Sequence, residues 1–125
     1  MKNLVILDDE VEMEDLYRIS FEDQIENNSL KIYFFFDSRE FIKWHQTNEE
    51  NIDLILCDIN MPYISGIEVI ENIRKDDIHT PIFVLSGFDS LKYNEDITRL
   101  NINKFISKPI NFESFAQEIN DYLLK

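Results

Sequence analysis

The amino-acid sequence predicts one α/β domain over residues 1–125, a doubly wound five-stranded parallel sheet of the (βα)5 kind. Two observations carry this. Five short apolar runs recur along the chain, and the first four are continuous rather than alternating, as strands covered on both faces require. The stretches between them each exceed about a dozen residues, enough for a crossover helix, and they hold apolar residues at helical spacing. Strands alternating with helices through right-handed crossovers place helices on both faces of one sheet.

The first strand is read at residues 4–7, all aliphatic. Residues 10–26 then read as a helix with Met13, Leu16, Tyr17, Phe21 and Ile25 on one apolar side. The second strand is residues 32–36, and Asp37 with Glu40 resembles a capping pair before Phe41 and Trp44. The third strand is residues 54–57. Ser65 with Glu68 repeats the capping pattern before Ile67, Ile70 and Ile73. The fourth strand is residues 82–85, followed by the weakest helix, residues 89–100, with only Leu91, Tyr93, Ile97 and Leu100 apolar. Phe105 and Ile106 mark the fifth strand. Asn111 can cap a last helix in which Phe112, Phe115, Ala116, Ile119 and Leu123 recur at helical spacing. The few glycines and prolines fall between these segments, where turns belong.

Composition narrows the function. With 44% hydrophobic and 30% charged residues the chain is too apolar for a disordered segment. Its net charge of −13 disfavours nucleic acid and anionic membranes, which both need a positive surface. A single cysteine, Cys57, rules out an internal disulfide and a thiolate metal cluster. No apolar run reaches membrane-spanning length, and Asp8 and Asp9 end the N-terminal apolar stretch, so a cytoplasmic location is expected.

The polar residues that follow the strands carry the chemistry. Asp8, Asp9 and Glu10 follow the first, Asp58 the third, Ser86 the fourth and Lys108 the fifth. Singly, each has a plain reading: charges favourable to a helix N-terminus, turn formers, and a solvated lysine. In an open parallel sheet, however, ligands bind outside the carboxyl ends of the strands, so these positions converge on one rim. Carboxylates forced together repel, and a divalent cation removes the conflict. Oxygen ligands without His or Cys favour Mg²⁺, with Mn²⁺ as the alternative. A metal site beside an acid, a hydroxyl and a lysine handles phosphoryl groups, and an aspartate can itself be the nucleophile.

The motifs Leu7-Asp8-Asp9-Glu10, Cys57-Asp58-Ile59-Asn60-Met61-Pro62 with Gly66, Ser86-Gly87 and Phe105-Ile106-Ser107-Lys108-Pro109 occur in this order on the five strands. Over essentially its whole length the chain thereby resembles a response-regulator receiver domain of two-component signalling. The resemblance implies a flavodoxin-like sheet of order 2-1-3-4-5. It implies that Asp58 accepts a phosphoryl group from a sensor histidine kinase or a histidine phosphotransfer protein. Asp9 would ligate Mg²⁺ directly and Asp8 largely through water, with Asp58 and the backbone carbonyl of Asn60 as further ligands. Ser86 and Lys108 would each hold an oxygen of the phosphoryl group, with Lys108-Pro109 commonly cis. Ser86 would then pull the loop after the fourth strand and give Phe105 room to turn inward, repacking the last helices and strand. Plain core packing is the other reading of Phe105.

The chain departs from the family at a few places. Ser86 stands for the commoner Thr, Gly87 for Ala, and Asn101-Ile102 for Gly-Ala; asparagine tolerates the left-handed backbone such a turn uses. Phe88 falls by analogy at the mouth of the site, where its ring either shields the phosphoryl group from water or serves a partner. Receivers meet the kinase's helical bundle with the first helix and the loop after the fifth strand, which makes Met13, Leu16, Pro109 and Ile110 docking candidates; core packing is the favoured reading of Leu16. His45 and His79 read as surface residues, and Cys57 as an inert core residue.

The sequence begins just before the first strand and ends with the last helix, so a stand-alone receiver is expected, its output being the binding of a downstream protein or onward phosphotransfer. The domain is thus read as a signalling switch and not an enzyme, apart from assisting its own phosphorylation and dephosphorylation. Two other readings stand beside it. One is a receiver-like scaffold that works without phosphorylation. The other is a haloacid-dehalogenase-type phosphatase, which needs an acid–base aspartate where this chain has Asn60.

Overall fold

A computed structural model describes residues 1–124. The strands are β1 (Lys2–Leu7), β2 (Leu30–Phe35), β3 (Leu54–Asp58), β4 (Ile82–Ser86) and β5 (Lys104–Ser107). They form one parallel sheet, as the apolar runs predict, in the order β2-β1-β3-β4-β5, as the resemblance implies. The helices are α1 (Met13–Ser20), α2 (Glu22–Glu26), α3 (Ser38–Thr47), α4 (Gly66–Arg74), α5 (Asn94–Arg99) and α6 (Phe112–Leu124), with a 3₁₀ turn at Ser90–Tyr93.

Strand side chains alternate between two faces, and each face has its own core. Val5, Leu7, Ile55, Cys57, Ile82 and Val84 pack with Phe41, Val69, Ile70 and Ile73 of α3 and α4. Leu4, Ile6, Leu54, Leu56, Phe83 and Leu85 pack with Tyr17, Phe21, Phe115 and Ile119 under α1, α2 and α6. Burial on both sides is why β1, β3 and β4 read as continuous apolar runs.

The expected caps form. Asp37 accepts from the Arg39 amide, Ser65 Oγ from the Glu68 amide, and Asn111 Oδ1 from the Ser114 amide. Asn101 takes φ 52°, the left-handed backbone expected before β5. Trp44 packs on Tyr33 and Phe35, and His45 stacks half-buried on Phe41.

The region read as one helix over residues 10–26 is corrected. Asp8 takes the Glu10 amide and the Glu10 carbonyl takes the Met13 amide, so residues 10–12 are spent on a turn. The helix then breaks at Phe21, which leaves helical geometry (φ −113°, ψ 19°) as it drives its ring into the core with no exposure. Leu16 is also corrected: it does not pack inward but is 44% exposed, beside the outward Ile19. Helix α1 has Tyr17 as its one buried residue, because a two-turn helix covers only a narrow stripe of the sheet. The weak segment 89–100 divides into the 3₁₀ turn and the short α5.

Candidate functional site at the carboxyl rim of the sheet

Adjacent strand ends bring the rim residues together. β1 lies between β2 and β3, and the Asp8 amide donates to the Phe35 carbonyl at 3.1 Å. That bond holds Asp8 at the end of β1, 2% exposed, beside Asp58 at the end of β3, 3% exposed. Each aspartate anchors itself on its own loop. Asp8 Oδ1 accepts from the Glu10 amide at 2.9 Å, and Asp58 Oδ1 from the Asn60 amide at 3.0 Å. The loop after β3 approaches closely because residue 66 is glycine: a Cβ there would stand 2.4 Å from the Asp58 carbonyl oxygen.

Asp58 keeps its second oxygen for a cation. Lys108 Nζ donates to Asp58 Oδ2 at 2.6 Å. The Lys108 backbone is fixed by its own amide, which donates to the Ser86 carbonyl at 2.8 Å, and the Lys108-Pro109 bond is cis. Ser86 is fully buried, and its hydroxyl accepts from the Phe88 amide at 3.0 Å. Phe88 lies 49% exposed with Lys92 Nζ 4.4 Å above its ring. Phe105 stacks on Tyr93 with centroids 6.0 Å apart.

The electrostatics of the rim follow from burial among acids. Asp8 is pushed up to about 6, chiefly by burial, against the pull of the Glu10 amide and with the Asp58 charge adding to the push. Burial works to lower Lys108, but the hydrogen bond and charge of Asp58, with Asp8 and Glu10 behind them, leave it raised. Burial, then Asp58 and Asp8, push the Cys57 thiol up, so it stays protonated and unreactive.

Carboxylate oxygens of Asp8, Glu10 and Asp58 all lie within 4.8 Å of one another. An all-oxygen set of this kind suits a hard cation, which would also relieve the Asp58 charge that adds to the burial push on Asp8. These residues fit Mg²⁺. Glu10 enters this group, although the sequence pointed to it only as part of an acidic run. Asp9 lies at the same rim, exposed and outside this group of carboxylates, and Asn60, also exposed, is tied to Asp58 through its amide.

A doubly wound parallel sheet with buried aspartates at the ends of β1 and β3, braced by a lysine from β5, defines the class of signalling receivers. The chain belongs to the response regulator receiver domain family, whose model matches residues 4–120. Among curated proteins it resembles the polar-differentiation response regulator DivK of Brucella anthropi, 36% identical over 77 residues, covering 60% of this chain and 63% of that protein. It also resembles the uncharacterised transcriptional regulatory protein YkoG of Bacillus subtilis, at 34% identity over 57% of this chain and 31% of that one. The chain thus spans less than two thirds of the curated relatives it matches. Among solved structures, the receiver domain of Francisella response regulator 1452 superposes with TM-score 0.80 at 25% identity, covering 98% of this chain and 97% of that one. TrrA of Thermotoga maritima, solved in complex with Mg(2+)-BeF, superposes with TM-score 0.74 at 26% identity, covering 98% and 100%. No helix among the described residues is long and apolar enough to cross a membrane.

Proposed function

We propose that this receiver is a phosphorylation-dependent switch that takes a phosphoryl group onto Asp58 from a phosphohistidine of a sensor histidine kinase or a histidine phosphotransfer protein. The observation that carries the reading is the buried Asp58 carboxylate, one oxygen held by Lys108 and the whole group set among other acids at the rim. In the transfer, an Asp58 oxygen bonds to phosphorus, the phosphorus–nitrogen bond to the imidazole breaks, and the nitrogen keeps the electron pair. Lys108 exchanges its bond to Asp58 for one to a phosphoryl oxygen, and Ser86 donates its hydroxyl proton to another while its oxygen can still accept from the Phe88 amide.

Mg²⁺ would be held by Asp8, Asp9, Asp58 and the Asn60 backbone carbonyl; Asp8 and Asp58 already lie together with Glu10, a further carboxylate in reach, while Asp9 would turn in from its exposed position. Mn²⁺ suits the same oxygens. When bound, the ion neutralises charge on the carboxylates and the transferring group. The support is the clustering of oxygens and the bound Mg(2+)-BeF of the TrrA relative. Output is by binding of a downstream protein or by onward phosphotransfer, in the cytoplasm, and the net charge of −13 argues against nucleic acid or an anionic membrane as direct partner.

The test is intact-protein mass after brief incubation with Mg²⁺ and acetyl phosphate, beside Asp58→Asn. One added phosphoryl group that needs Mg²⁺ and is absent from the variant is expected. No adduct together with no Mg²⁺ binding would overturn the reading and leave a phosphorylation-independent scaffold.

A further inference from the structure

The loop from β3 to α4, residues 59–65, carries Asn60 and is wound tightly. Asn60 N donates to Asp58, Met61 N and Gly66 N to the Ile59 carbonyl, and Ile64 N to the Pro62 carbonyl. At its outermost point sits Tyr63, with φ 67° and 74% exposure. A bulky aromatic residue at positive φ is an outlier that glycine or asparagine would relieve. Its ring has one evident partner. The guanidinium carbon of Arg39 lies 3.6 Å from the ring centroid. Arg39 is itself held still: Nη2 donates to Asp37 Oδ2 at 2.7 Å and Nε to Asp37 Oδ1 at 3.1 Å, while Asp37 caps α3.

The topology makes this contact informative. Arg39 belongs to the β2 side of the rim and Tyr63 to the β3 side, and β1 lies between them. A bond joining the two ties the start of α3, which follows β2, to the loop that follows β3. It runs from a capped helix, through a guanidinium paired with the capping Asp37, to the loop that bears Asn60.

We propose that Arg39 and Tyr63 form a latch that positions the Asn60 loop for Mg²⁺. Both are positioning residues, acting through the loop and not on the phosphoryl group. The proposal rests on the phosphorylation reading for its purpose, but the latch itself is testable without metal.

The test uses the full chain in four forms: wild type, Arg39→Ala, Tyr63→Gly and Tyr63→Phe. Mg²⁺ affinity is measured by calorimetry, melting temperature by circular dichroism, and amide exchange over residues 59–66 in metal-free protein. An exposed cation–π contact corresponds to a change of about 2- to 5-fold. The Mg²⁺ dissociation constant is expected to rise by that factor in Arg39→Ala and Tyr63→Gly and to stay at the wild-type value in Tyr63→Phe, which keeps the ring. The Met61, Ile64 and Gly66 amides exchange faster in Arg39→Ala. Tyr63→Gly melts no lower than wild type, since glycine takes positive φ freely, so its weaker binding is not lost stability. Unchanged affinity and exchange in Arg39→Ala, or equal weakening by Tyr63→Phe and Tyr63→Gly, would overturn the latch. A wild type that bound no Mg²⁺ and gained no phosphoryl group from acetyl phosphate would instead overturn the phosphorylation reading, with the exchange data still deciding the latch.

Discussion

Lys108 reaches Asp58 from across the sheet, its ammonium 2.6 Å from Oδ2, although 50 residues separate them. The Asp58 side chain is 4% exposed and that of Lys108 25%, so the pair is mostly out of water. A buried carboxylate needs such a partner, because an unpaired buried charge is far more costly than the net value of the pair.

Lys108→Met removes that partner. The metal-free domain is expected to lose about 1–3 kcal/mol at neutral pH, while Mg²⁺ affinity does not fall, since a competing cation has gone. Chemical denaturation and calorimetry check the two halves. Lys108 is raised in the folded state, so its stabilising contribution is present below the ordinary lysine value of 10.5. It is lost as pH rises through the folded value, and the gap between wild type and variant closes there.

Asp8 works in the opposite sense. Its folded-state value of about 6 exceeds the ordinary 3.8, so the folded protein holds a proton that the unfolded chain has released. Stability therefore falls as pH rises from about 4 to about 6. Asp8→Asn is expected to stabilise the metal-free protein at pH 7 by on the order of 1–3 kcal/mol, with the gain vanishing below the ordinary carboxylate range. Saturating Mg²⁺ narrows the difference. Denaturation midpoints across this pH range, with and without Mg²⁺, are the measurement. A gain at pH 7 no larger than in acid would count against the burial account of Asp8.

The two glycines predict opposite outcomes. At Gly66 an added Cβ meets the Asp58 carbonyl oxygen at 2.4 Å and the Ile59 Cα at 2.7 Å, both backbone atoms that cannot step aside. Gly66→Ala is expected to cost about 1–3 kcal/mol and to weaken Mg²⁺ binding by displacing the Asn60 loop. At Gly87 an added Cβ meets nothing within 4 Å among the described residues, and φ is not positive. Gly87→Ala is expected to stabilise by about 0.4–1 kcal/mol, by narrowing the unfolded ensemble. Thermal melts of the two variants separate these cases.

Phe88 is expected to govern how long the phosphoryl group lasts. Its amide is tied to Ser86 Oγ, and its ring lies half-exposed under Lys92. Phe88→Ala and Phe88→Glu are expected to speed dephosphorylation several-fold by opening the site to water. Loss of the mass adduct over time is the readout. Unchanged rates would leave the ring as a surface for a partner.

Much of the site was legible before any tertiary contact. Asp58, Ser86 and Lys108 could be named because each comes at or just after the end of an apolar run, and parallel strands bring their carboxyl ends to one rim. The orientation of residues just past a strand end is less legible. Asp8, Asp9 and Glu10 are equally acidic, yet the structure buries Asp8, gathers Glu10 with Asp58 and leaves Asp9 outward. The direction of each side chain depends on the turn made by Asp8 accepting the Glu10 amide, a bond that spacing does not encode. Leu16 shows the same limit on a helix. Its apolar character fits an inward stripe, but the break at Phe21 and the narrow seat of α1 turn it out to solvent.

The local pattern of the chain was therefore sufficient for five strands, their caps and the rim that carries the acids, because periodicity and capping act within a few residues. The tertiary structure alone decided which acids share space, where α1 begins and breaks, and that Arg39 at the start of α3 meets Tyr63 in the loop after β3. These depend on how distant segments pack, and their energies exist only once the sheet has closed its order around β1.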